Sequence, residues 1–323
     1  MKPVILLTGK NGQVGGELLR LLPKWGEVVA FGRDQLDLSK LDNIRRTIRE
    51  VRPQLIVNAA AYTAVDRAET DEATAQAINE KAPGLMAEEA KKIGATLLHY
   101  STDYVFDGTK RVPYDEADSA NPINIYGKTK FAGEQAIRSS GVPYLIFRTA
   151  WVYATRGRNF LLTILRLATE REELRIVSDQ VGAPTCAADL AAATCKILAG
   201  ITERNSGQFV FSEVCGTYHM SAAGETTWYE FAKTILEAAR AASRTPIWLA
   251  DATKGCRLIA RRIIPISTEE FRSPTRRPAY SVLSNSRLMK TFGIALPDWR
   301  FQLQCCFLSD SSAANIAANC GTD

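Results

Sequence analysis

Residues 4–7 form an unbroken apolar run that stops at a glycine-rich stretch, and comparable runs recur at 28–31, 55–57, 96–100 and 144–147. Short runs without polar alternation predict strands covered on both faces, the condition of a parallel sheet. Between them the period changes. Residues 17–22, the trio Ile44, Ile48 and Val51, and residues 71–93 place apolar side chains three and four apart, which predicts amphipathic helices. Ser39, three residues before Asp42, resembles a helix start, while Pro53 and Gly94 close the second and third helices. A polar loop through Pro113 and Pro122 then feeds a helix carrying Tyr126 and Lys130. Strand and helix in strict alternation predict an α/β fold built on a doubly wound parallel sheet. Ligands on such sheets bind at the carboxyl ends of the strands.

After Arg148 the rhythm loosens. Residues 159–172, 187–198 and 227–242 read as helices and 218–220 as a short strand, with Pro265, Pro274, Pro278 and Pro297 breaking up the remainder. The reading assigns residues 1–150 to a dinucleotide-binding domain to which some later segments return. Residues 151–309 form a smaller, irregular substrate domain, and residues 310–323 a fraying tail.

Composition narrows the classes. The chain has 323 residues, 46% apolar and 23% charged, with a net charge of +5 and no block of five like charges, so neither nucleic acid nor an acidic membrane is indicated. Seven cysteines without metal-knuckle spacing fit a reducing, cytoplasmic setting, and two histidines cannot make a histidine-based metal centre alone. His99 sits in an apolar run and reads as a hydrogen-bonded core residue. No signal peptide and no membrane-spanning run is legible.

The chemistry lies at the strand ends. Gly9, Gly12 and Gly15, with Asn11, Gln13 and Val14 between them, follow a strand and open a helix, the context in which backbone can approach a pyrophosphate. At the end of the second strand an acidic residue would grip a ribose diol; here stand Gly32 and Arg33, with Asp34 just beyond. Arg33 favours a 2′-phosphate and hence NADPH, and Asp34 keeps NADH open. Asp37 and Leu38 are placed for the adenine pocket, and Ala59, Ala60 and Ala61 for the crossing of the cofactor ribose. Tyr126 and Lys130, four apart on one helix face, pair a phenol with an ammonium that would lower its pKa toward the range of a general acid. In a chain of ten tyrosines that spacing is weak alone. Thr102, at the tip of the fourth strand, carries a hydroxyl able to meet a substrate carbonyl beside Tyr126.

The order glycine turn, Asn58-Ala59-Ala60-Ala61, Ser101-Thr102-Asp103-Tyr104, Tyr126-Gly127-Lys128-Thr129-Lys130 resembles the extended short-chain dehydrogenase/reductase family, of Rossmann type. Tyr62-Thr63-Ala64-Val65-Asp66, Phe147-Arg148-Thr149-Ala150-Trp151, Asp179-Gln180-Val181-Gly182-Ala183-Pro184-Thr185 and Arg277-Pro278-Ala279-Tyr280-Ser281 narrow the resemblance to the dTDP-4-dehydrorhamnose reductases, over residues 6–299. The resemblance implies a catalytic set of Thr102, Tyr126 and Lys130, with Lys130 also on the ribose. It puts Val65, Asp103, Tyr104 and Trp151 about the dTDP-linked deoxysugar, Arg277 on its diphosphate, and allows a homodimer. Some relatives pair subunits through glutamates on a divalent metal; Glu17 matches, but Ala187-Ala188-Asp189 offers no second glutamate, so no metal is expected. Residues 301–306 depart from the family, where an amphipathic helix would continue. Two other classes share the frame. A dehydratase would have a glutamate where Tyr104 stands, and a non-catalytic subunit, like the regulatory one of methionine adenosyltransferase, would not require the Thr102, Tyr126 and Lys130 set.

Overall fold

In the computed structural model, which describes residues 2–308, the apolar runs become the strands of one sheet. β1 (Val4–Thr8), α1 (Gln13–Leu21), β2 (Glu27–Phe31), α2 (Leu41–Val51) and β3 (Leu55–Asn58) succeed one another closely. α3 (Ala82–Ile93) grows from a helical turn, Glu72–Gln76, through a π-helical segment, Ala77–Lys81. β4 (Thr96–Thr102), α4 (Ile125–Ser140) and β5 (Tyr144–Thr149) complete the alternation. Then come α5 (Phe160–Glu170), β6 (Glu173–Val177), α6 (Ala187–Arg204), β7 (Gly216–His219), α7 (Trp228–Ala241), β8 (Arg262–Ile266) and α8 (Trp299–Leu308).

The six-stranded sheet runs β7-β5-β4-β3-β1-β2, and every pairing is parallel. The order reverses between β1 and β3, where such sheets take ligands. β7 and α6 come late in the sequence yet belong to this body: β7 pairs with β5, and α6 lies against α1.

Side-chain alternation divides the core. Ile5, Leu7, Val57, Leu98 and Phe147 face α1 and α6; Leu6, Ile56, Leu97 and Ile146 face α2, α3 and α4. Each such buried side chain contributes about 1.5–3 kcal/mol, against roughly 0–1 for an exposed ion pair such as Arg166–Glu170, so the apolar faces hold the layers together. A separate core joins Leu161, Ile164 and Leu165 of α5 to Phe231 and Ile235 of α7 and to Trp299 and Leu303 of α8.

Three expectations change. Ser39 does not cap α2: Lys40 holds the cap position, and the Ser39 hydroxyl donates to Asp37 at 2.8 Å. The later part is more regular than its prolines suggest, because β6 and β8 pair in parallel across some ninety residues of intervening chain. Residues 301–306, expected to depart from the family's helix, continue a helix and bury Leu303 and Cys306. The expectation for residues 310–323 lies outside the described residues. Among the described residues no helix is long and apolar enough to cross a membrane.

Candidate active site

β4 ends by turning into a short 3₁₀ segment, Asp103–Val105, and Thr102 caps it: the Tyr104 amide donates to Thr102 Oγ1 at 3.1 Å. The Thr102 hydroxyl in turn donates to Asp103 Oδ1 at 3.0 Å. α4 comes down on this turn because Asn124 caps it, accepting from the Gly127 amide at 2.8 Å, and because Gly127 has no side chain. A Cβ there would stand 2.2 Å from the Tyr104 carbonyl oxygen. The close approach sets the Tyr126 ring edge-on to Tyr104, centroids 5.5 Å apart. Burial pushes the Tyr126 phenol up to about 12, with the Thr102 hydroxyl pulling it down and Asp103 adding to the rise. Asp103 itself is raised to about 6 by burial, eased by the Ser281 and Thr102 hydroxyls.

Lys130 does not do what the spacing suggests. It lies on the same helix as Tyr126, but Nζ turns inward, 3.0 Å from His99 Nε2 and 2.6 Å from the Tyr100 carbonyl. In this arrangement burial, not an ammonium, sets the phenol's value. The reason is tertiary: His99 is a fully buried polar side chain of β4, and Lys130 is the group within reach of its Nε2. His99 is the core residue expected, bonded also to Asn58 Nδ2 at 3.0 Å.

The glycine turn is built for close approach. Gly9 has φ of 76° and packs against the Ala59 and Ala60 backbone, while a Cβ on Gly15 would lie 2.1 Å from the Gly9 carbonyl oxygen. Helix α1 has Gly12 at its cap and no side chain bonded there, which leaves its first-turn amides for an anion. These features fit a dinucleotide pyrophosphate. Gln13 faces the other way: its side-chain oxygen accepts from Asn159 Nδ2 and its carbonyl from Arg156 Nη2, both at 2.9 Å. Val14 packs on the core beneath, and Asn11 is exposed beside Gly32. Arg33 is exposed at the tip of the β2 turn. Asp34 Oδ1 folds back over Gly32, 2.6 Å from where a Cβ would be. Asp37 is occupied by the Ser39 amide and hydroxyl, which lower its pKa. Leu38 is buried in the core with Leu36, and Ala59, Ala60 and Ala61 are half-buried at the end of β3.

Near Tyr104, Arg277 Nη2 bonds both carboxylate oxygens of Asp66, at 2.8 and 2.9 Å. Asn124 Nδ2 holds the neighbouring Arg276 carbonyl at 2.9 Å, which ties this strand of chain to the start of α4. Val65 opens the short helix Val65–Ala68 that carries Asp66. Trp151 has φ of 47°, and its ring stacks on Trp228 at 3.5 Å with an interplanar angle of 6°. The sequence reading missed Asn58, Asp66, Arg156 and Trp228 as neighbours of the site, since each meets its partner only through tertiary contact. Among the described residues no group of three or more His, Cys, Asp or Glu could hold a metal, and Glu17 is engaged by Arg156 at 3.2 Å.

Known proteins resemble this chain over most of its length. The family model described as RmlD substrate binding domain matches residues 1–311. A dTDP-4-dehydrorhamnose reductase from Burkholderia thailandensis is 48% identical over 303 residues, covering 94% of this chain and 97% of that protein. The protein of the same name from Escherichia coli is 42% identical, covering 92% and 94%. A crystal structure of dTDP-4-dehydrorhamnose reductase from Bacillus anthracis in complex with NADP superposes with a TM-score of 0.81 at 35% identity, covering 95% of this chain and 99% of that one.

Proposed function

The chain belongs to the dTDP-4-dehydrorhamnose reductase family, and on that premise we propose that it reduces the C4 ketone of dTDP-4-dehydro-L-rhamnose to dTDP-L-rhamnose, with NADPH preferred and NADH accepted. The observation that carries this reading is the buried phenol of Tyr126, held beside Thr102 at the carboxyl end of β4, with a glycine turn suited to a pyrophosphate at the start of α1.

When bound, the nicotinamide supplies the hydride. The chain handles the ketone and the proton. A phenol raised to about 12 keeps its hydrogen at neutral pH and can pass it to the ketone oxygen as negative charge develops there. Thr102, fixed by the Tyr104 amide, positions the ketone beside that hydroxyl. Lys130, on leaving His99, engages the ribose. The first-turn amides of α1, with Gly9, Gly12 and Gly15, hold the pyrophosphate, and Arg33 meets the 2′-phosphate. Val65, Tyr104 and Trp151 surround the sugar, and Arg277 meets the diphosphate through the N–H groups that Asp66 leaves free. Tyr104, where a dehydratase would have its carboxylate base, supports reduction over loss of water. Free thiols at Cys186, Cys195, Cys215, Cys256 and Cys306 support a reducing, cytoplasmic setting.

The test supplies purified protein with dTDP-4-dehydro-6-deoxyglucose, a 3,5-epimerase and NADPH, then monitors cofactor oxidation and the product by NMR. Substrate-dependent oxidation yielding dTDP-L-rhamnose is expected. No oxidation, or a product of another configuration, overturns the reading.

A further inference from the structure

A row of polar side chains crosses the sheet near its carboxyl edge. Thr8, Asn58 and His99 are lateral partners in β1, β3 and β4, and all three are buried. One pleat earlier the same face carries Leu6, Ile56 and Leu97. Polar groups in such a place must satisfy one another. Thr8 Oγ1 donates to Asn58 Oδ1 at 2.7 Å, and the Ala60 amide donates to the same oxygen at 3.2 Å. Asn58 Nδ2 lies 3.0 Å from His99 Nδ1, and His99 Nε2 lies 3.0 Å from Lys130 Nζ.

The hydrogens in this row can be assigned from its fixed member. A backbone amide only donates, so the Asn58 oxygen faces Ala60 and the Asn58 NH₂ faces His99. His99 Nδ1 is then the accepting nitrogen, and a neutral imidazole carries its hydrogen on Nε2. That hydrogen points at Lys130. An ammonium has no lone pair and would meet it donor to donor. A neutral amine accepts it and still donates to the Tyr100 carbonyl.

The charges around Lys130 agree. His99 faces it from β4. Glu134, one turn along α4, is taken by Arg148 of β5 at 2.7 Å and by Arg138 at 3.1 Å. Asp103, in the turn after β4, bonds Thr102. Burial lowers Lys130 to about 8 against the pull of Glu134, and burial likewise holds His99 well below its usual range.

We propose that His99 is a positioning residue for Lys130: the row Thr8–Asn58–His99 fixes the Nε2–H imidazole, which holds Lys130 as a neutral amine turned away from Tyr126. Lys130 becomes an ammonium, by taking a proton from solvent, only on leaving His99 for the cofactor. This rests on the reductase reading of the chain, and two measurements separate the claims.

The first needs no cofactor. The chain has two histidines, so long-range ¹H–¹⁵N spectra of the imidazoles can be assigned. His99 is expected in the neutral Nε2–H form at roughly pH 8.5, above the lowered value of Lys130. An Nδ1–H tautomer or an imidazolium overturns the proposal.

The second titrates the full chain with NADPH at roughly pH 8.5, above the lowered value of Lys130, in two buffers of different ionisation heat. Uptake approaching one proton per cofactor is expected. Asn58→Asp replaces the donor toward His99 by an acceptor, which turns the imidazole round and charges Lys130 beforehand, so the uptake should be lost. If that variant does not fold, His99→Gln, whose side-chain oxygen accepts from an ammonium, carries the same expectation. Binding without proton uptake in the wild type, or the same uptake in the variant, overturns the proposal. Failure of NADPH to bind counts against the reductase reading instead, and the tautomer still decides the arrangement at His99.

Discussion

Tyr126 illustrates how one side chain acquires a role from its surroundings. Its hydroxyl is the proton donor in the proposed reaction, and burial keeps it protonated. Tyr126→Phe keeps the ring and its edge contact with Tyr104 while removing the proton. The expected loss is roughly 10²–10⁴-fold in kcat, with the NADPH dissociation constant unchanged. Near-normal turnover would remove Tyr126 from the mechanism. Arg33 poses a separate question at the same scale. An exposed guanidinium on a phosphate contributes roughly 1.5–3 kcal/mol, or about 10–150-fold in affinity. Measured kcat/KM for the two cofactors should therefore favour NADPH in the wild type and lose much of that preference in Arg33→Ala. A ratio that stays put means that Arg33 does not read the phosphate.

Among the elements, α4 and α6 are positioned by small features at their starts. Gly127 lets α4 reach the turn after β4, and Gly133 lets it reach the π segment, where a Cβ would meet the Asn79 carbonyl oxygen at 2.0 Å. α6 begins with a buried carboxylate. Asp189 is raised from 3.8 to about 6 by burial, eased by Cys186 and Lys196, and its Oδ2 has no hydrogen-bond partner. The folded value lies above the unfolded one, so the folded chain binds the extra proton between them. Stability therefore rises as pH falls from about 6 toward 4, and that contribution is absent above 6. Asp189→Asn removes the cost of the buried charge. Unfolding in urea should show the variant more stable by on the order of 1–3 kcal/mol near pH 8, with the difference fading below about pH 4. A gain equal at both pH values would mean that Asp189 is not the group responsible.

At the scale of the whole molecule, the site lies where chain segments distant in sequence meet. Asp66, just after β3, holds Arg277, which comes after α7 and β8, in a bond spanning 211 residues. The ion pair is part-exposed and contributes little to stability by itself. Its effect is to hold a guanidinium near Tyr104. Arg277→Ala should raise the KM for the sugar nucleotide roughly 10–150-fold, the worth of a charge-assisted contact to a diphosphate, and leave the NADPH dissociation constant alone. An unchanged KM would assign the residue to structure alone. Added salt should weaken the wild-type KM more than that of the variant.

The parallel sheet, the glycine turn and the shared face of Tyr126 and Lys130 were all determined locally, by apolar runs, turn residues and helical spacing. For that reason they are legible in the sequence. The family resemblance was legible for the same reason, since its motifs are contiguous. Which way Lys130 turns was not. Both directions suit its place on α4, and the choice falls to His99, thirty-one residues away, whose burial leaves a ring nitrogen to satisfy. The pairing of β6 with β8 and the hold of Asp66 on Arg277 were hidden likewise. Spacing along a chain fixes which face a residue occupies; only packing decides which buried polar group it must answer, because that demand arises from segments brought together by the fold.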